Sequence, residues 1–125
     1  MEFFKPFRAD VQVGDIQSVD YGPFRIVAKV VADHDCHPSD FDCYTPEQIA
    51  AFDRGDWCMV GVVLSVWLKT VVLDDHAASC WGVDCNHDNG NAGAWISDIA
   101  NDLLVEAHRI ADNFAEEFSE TFANT

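Results

Sequence analysis

Positive charge is what this sequence has least of. Seven Lys and Arg stand against 22 Asp and Glu in 125 residues, a formal net charge of −15. A surface charged this way meets phosphate with the same sign, which argues against nucleic acid or an anionic membrane as a direct partner. Long apolar runs are also missing. The longest, Cys58 to Leu68, is too short to span a bilayer and is interrupted by Gly61 and Ser65. The opening MEFFKPFRAD has no small-residue cleavage site of a secretory leader, so a cytoplasmic protein with reduced cysteines is expected. Five Cys, an odd count, fit poorly with a complete disulfide set. There is no Cys-x-x-Cys, no His-x-x-x-His, no Gly-rich phosphate loop and no cofactor fingerprint. No cofactor, no metal and no catalytic residue are therefore expected.

What is present supports a folded core. Apolar residues make up 49%, with nine Phe and four Trp, enough to bury one domain over residues 1–125. Turn signals fall at Gly14-Asp15 and Gly22-Pro23, with a short strand expected around Asp10 to Val13. Phe24 to Val31 alternates as a half-buried strand. Thr45, Pro46 and Gln48 spell an N-cap, N1 and N3 capping box for a short helix that Gly55 stops. Trp57 to Leu68 is apolar on both sides, the mark of a central strand. Lys69-Thr70 reads as a hairpin turn into Val71–Leu73, and Ser79 to Cys85 as a further strand.

The rest is a long amphipathic helix from about Ala94 to about Phe122. Ile96, Ile99, Leu103, Ala107, Ile110, Phe114 and Phe118 form its apolar stripe. These elements predict an α+β fold: an antiparallel sheet of three to five strands, a short helix, and the long C-terminal helix packed on one face.

The other side of that helix is acidic. Asp98, Asp102 and Glu106 are spaced by four, as are Asp112, Glu116 and Glu120, and Glu117 adds one more. Residues four apart lie ~6 Å apart along a helix axis, close to the spacing of phosphates along a nucleic-acid strand. Asp33, Asp35, Asp40 and Asp42 form an auxiliary loop patch, and Asp74 and Asp75 add two more acids. The plain alternative is a solvated helix face whose charge serves solubility in a phage or bacterial interaction or assembly protein.

In its size, its acidity and its acid-striped helix after a short sheet, the chain resembles small acidic phage and mobile-element proteins, a class that includes DNA mimics and anti-CRISPR proteins. The stretches Trp81-Gly82-Val83-Asp84-Cys85-Asn86 and Asp98-Ile99-Ala100-Asn101-Asp102-Leu103-Leu104 are similar to small phage-borne reading frames. The resemblance implies a non-enzymatic inhibitor. Its partner would be a basic DNA-binding protein or a CRISPR effector complex, met through the acidic residues. It sets no oligomeric state.

Three rival readings remain. His34, Cys36, His37 and Cys43 cluster, as do Cys80, Cys85 and His87. These are ligand types that suit a small zinc-binding regulator, though not at zinc spacing. Asp84, Asn86 and Asp88 alternate as in a calcium loop, but Gly90 comes one place late and Trp95 stands where the closing Glu belongs. Asp74-Asp75-His76 and Asp33-His34-Asp35 are short acid/base runs without a nucleophile.

Overall fold

Alternating apolar residues become strands because every second side chain shares a face. In the computed structural model, which describes residues 2–86 and 91–123, the elements are β1 (Ile16–Tyr21), β2 (Phe24–Ala32), α1 (Pro46–Asp53), β3 (Cys58–Leu68), β4 (Val71–Cys85) and α2 (Ala92–Ala123). A single 3-10 turn, Pro38–Asp40, precedes α1. The strands form one antiparallel meander in the order β1-β2-β3-β4. β3 is apolar on both faces because α2 covers one and side chains such as Trp81, which lies over Gly61, cover the other. No helix among the described residues is long and apolar enough to cross a membrane.

One sheet face carries the main core. Ile26, Ala28 and Val30 of β2 and Val60, Val62, Leu64 and Val66 of β3 are all fully buried against α2. The helix's buried residues are Ala92, Gly93, Ile96, Ser97, Ala100, Leu104, Ala107 and Ala111. The expected stripe is thus rotated. Ile99, Leu103, Ile110, Phe114 and Phe118 pack along its flank, only partly buried. Small side chains mark the line of closest approach, because a helix settles deepest on a sheet where no bulky group holds it off.

The chain's start is not a strand at Asp10 to Val13. It is an extended strap laid across α2 and the sheet end. Phe4, Phe7 and Val11 are buried. The Phe4 amide donates to Asn101 Oδ1 and the Phe7 amide to Ser97 Oγ, both at 2.9 Å. Asn86 Nδ2 donates to Val11 O at 2.9 Å. The first strand comes only after Gly14, whose φ of 97° turns the chain. Ile16–Tyr21 is an edge strand with a single buried residue, Val19, so its alternation is faint.

β4 is likewise one strand of 15 residues, not the two short ones expected. Asp74 still pairs with Val66, and Asp75, His76 and Ala77 then lie opposite Ser65 alone before pairing resumes at Leu64 and Ala78, so the strand runs through the interruption. Those extra residues bulge while pairing continues on both sides.

The opposite sheet face holds a smaller aromatic cluster under the Asp33–Tyr44 loop and α1. Trp57 packs on Tyr44 and Phe52 at ring-centroid distances of 5.3 and 5.2 Å and donates Nε1–H to Gln48 O at 2.9 Å. Tyr44 donates its hydroxyl to Asp84 Oδ2 at 2.9 Å. Burial and that carboxylate together push the Tyr44 phenol far up. The capping box forms as the sequence spells it. Thr45 Oγ1 accepts from the Gln48 amide at 3.2 Å, and Gln48 Oε1 accepts from the Thr45 amide at 2.7 Å.

Candidate acidic interface

α2 is 32 residues long, about 48 Å at 1.5 Å per residue. Its apolar side is fixed to the sheet, and this decides where its acids go. Asp98, Asp102, Glu106, Asp112, Glu116, Glu117 and Glu120 are all exposed, on the side turned away from Ala100, Ala107 and Ala111. The structure brings these seven onto one rigid face.

The face is not an even row. Arg109, the helix's single Lys or Arg, turns back onto Glu106: its Nε donates to Oε2 at 3.1 Å and its Nη2 to Oε1. That guanidinium holds the Glu106 carboxyl below the usual carboxylate range. One turn on, Asp112 accepts the hydroxyl of Tyr21 from β1 at 2.8 Å. The bond raises the Tyr21 phenol, with some burial and the Asp112 charge adding to it. Tyr21 also stacks on His108, with centroids 4.1 Å apart and planes 15° from parallel. Burial lowers the His108 imidazole, while Asp112 pulls the other way.

The array therefore has two ends and a middle. Asp98 and Asp102 form one end, and Glu116, Glu117 and Glu120 the other. Between them one carboxylate is largely neutralised by Arg109, and one is pinned by Tyr21. Tyr21 and His108 are the participants that sequence reasoning missed. A Tyr beside a turn and a His on a helix carry no signal of meeting across 87 residues of chain.

The auxiliary patch lies elsewhere. Asp33 Oδ2 accepts the Gly82 amide at 2.9 Å, and Asp40 Oδ2 accepts the His37 amide at 3.2 Å to cap the 3-10 turn. Asp35, Asp40 and Asp42 are exposed. Their loop sits on Gly82 and Asp84, over the sheet face that Met59 lines, whereas Val60 and Val62 point to α2. These acids are not a second row beside the helix. Asp74 and Asp75 stay on the bulged edge of β4.

The ligand-type residues are dispersed. Among the described residues, no group of three or more His, Cys, Asp and Glu could hold a metal ion. His37 uses both ring nitrogens, on Ser39 Oγ of its own turn at 2.7 Å and on Asp53 Oδ1 at the end of α1 at 2.9 Å. His34, Cys36 and His37 instead line a cavity of about 310 Å³, together with Cys58, Met59 and Phe52. Cys80 and Cys85 belong to β4. His87, Asp88 and Gly90 of the second cluster and the calcium-like loop lie outside the described residues. Comparison with protein-family models, with curated proteins and with solved structures finds no match for this chain.

Proposed function

We propose that this protein is a non-enzymatic inhibitor that imitates the charge of nucleic acid and occupies a basic DNA-binding surface. A CRISPR surveillance complex is the target class that its resemblance to anti-CRISPR proteins implies. One observation carries the proposal: seven carboxylates exposed on a single face of a 32-residue helix whose opposite side is packed on the sheet. Each can meet a Lys or Arg that would otherwise hold a phosphate. A rigid helix loses little entropy in presenting them, and the net charge of −15 speeds encounter with a basic channel.

An exposed ion pair contributes only ~0–1 kcal/mol, so single substitutions on this face are expected to have small effects. Reversing three charges changes the whole field. Asp102→Lys, Glu106→Lys and Glu116→Lys together move the net charge from −15 to −9, since each reversal adds two. The folded triple variant, checked by circular dichroism, should lose competition with DNA for the basic target. If it inhibits as well as the wild type, the acidic-helix mechanism fails, and recognition must run through shape on the loop or apolar surface.

A further inference from the structure

Cys58 of β3 stands directly opposite Cys85 of β4 in the antiparallel register. Side chains so paired share a face, with Cα atoms about 4.5–5.5 Å apart. A disulfide spans Cα atoms about 4.4–6.8 Å apart, a range that includes directly opposed residues of this kind. Both thiols are free, and the Cys85 thiol donates to Val11 O at 3.6 Å.

The two sulfurs differ in access. Cys85 is 1% exposed. Cys58 is half-buried and lines the 310 Å³ cavity beside Cys36, Asp33 and Asp35. The neighbouring Cys85 thiol draws the Cys58 thiol down, against the opposing effect of burial, and Cys58 together with burial pushes Cys85 up. Cys36, in the same cavity, is pushed up by burial and by Asp33 and Asp40. The thiolate is the attacking species. Cys58, the accessible member of the pair at the cavity, is therefore the nucleophile, with the buried Cys85 behind it as the resolving thiol.

We propose that Cys58 and Cys85 form a dithiol site that small disulfides oxidise through the cavity. The Cys58 thiolate attacks one sulfur of the small disulfide, making a mixed disulfide and releasing one small thiolate, which takes up a proton. Cys85 then attacks the Cys58 sulfur, and the second small thiolate it expels takes up the Cys85 proton. Two protein thiols are oxidised to one disulfide, and one small disulfide is reduced to two thiols. Cys85 Sγ gives up its 3.6 Å bond to Val11 O in the process. Asn86 Nδ2 still donates to that oxygen at 2.9 Å, so no buried acceptor is orphaned.

Cystamine is a suitable probe, being small and cationic where Asp33 and Asp35 line the cavity. Treating the reduced full chain with it should give a Cys58–Cys85 peptide in a non-reducing map and an intact mass lower by about 2 Da, both reversed by a reductant. Cys58 should react faster than Cys36. Cys85→Ala should trap a cysteamine adduct on Cys58. A wild-type map in which the disulfide joins other cysteines overturns the proposal, as does one in which Cys58 stays unmodified while exposed Cys43 reacts. The wild-type map decides the matter even where Cys85→Ala does not fold.

Discussion

At the scale of single residues, two glycines show that the neighbour decides the effect of an added methyl. A Cβ at Gly93 would lie 2.0 Å from Arg8 O, a backbone atom of the strap. A Cβ at Gly61 would lie 2.4 Å from Trp81 Cε3, a side-chain atom. Trp81 is 48% exposed and has room to swing outward. The strap can yield only by lifting, which uncovers Phe4 and Phe7. Each of those burials contributes about 1.5–3 kcal/mol, more than the ~1 kcal/mol that Gly→Ala gains in helix propensity. Gly93→Ala should therefore lower the urea midpoint more than Gly61→Ala, and equal or reversed midpoints would refute the strap's role.

A pH effect also belongs to this scale. The fold lowers the His108 pKa, so near the ordinary value of about 6.5 the unfolded chain binds more protons than the folded one. The stability contribution of neutral His108 is full above that value and is lost as pH falls below it, through the lowered folded value. Stability measured by denaturant against pH should drop in that window, and His108→Phe, which keeps a ring on Tyr21, should flatten the drop.

At the scale of elements, α2 is held by what it lacks. Ala100, Ala107 and Ala111 are fully buried at its contact with the sheet. Ala107→Leu inserts three carbons into that contact and should destabilise by about 1–3 kcal/mol. Val105→Leu, at a position 67% exposed, should stay within about 0.5 kcal/mol. Equal effects in thermal unfolding would mean the helix packs on a different face. The same contact explains what could be read in advance. β2, β3, the α1 capping box and the extent of α2 were legible because period and caps are local signals. The rotation of the stripe was not, because hydrophobicity ranks Ile110 and Phe114 above Ala107, while packing distance favours Ala. The strap was illegible for another reason: Phe4, Phe7 and Val11 bury themselves in extended chain, which has no helical period to betray them. Asp74-Asp75-His76 looked like a break in β4 because polar residues in a strand and polar residues in a bulge read alike.

The whole molecule is governed by a charge of −15. The acids of α2 could be placed on its exposed side from their four-residue spacing alone. What the spacing could not show is that Arg109 folds back on Glu106 and that Tyr21 holds Asp112, because both depend on where side chains meet in space. The remaining carboxylates repel one another in the free protein, and the same carboxylates would attract a basic partner. Salt must therefore act on the two in opposite directions. Raising ionic strength from about 0.01 M to 0.15 M shortens the screening length from about 30 Å to about 8 Å. In the free protein this relieves self-repulsion, so the thermal midpoint should rise. In a complex held by phosphate-like contacts it weakens the attraction, so competition with DNA for the target should fade over the same range. The triple reversal on α2 should blunt both trends. A free protein whose midpoint falls with added salt would mean that ion pairs such as Arg109–Glu106 outweigh the repulsion, leaving no field for a partner to meet. Inhibition that is flat across the same salt range, with the midpoint rising, would separate the two effects: the charge would then serve solubility, and the interface would lie on the strap, the loop or the aromatic face of the sheet.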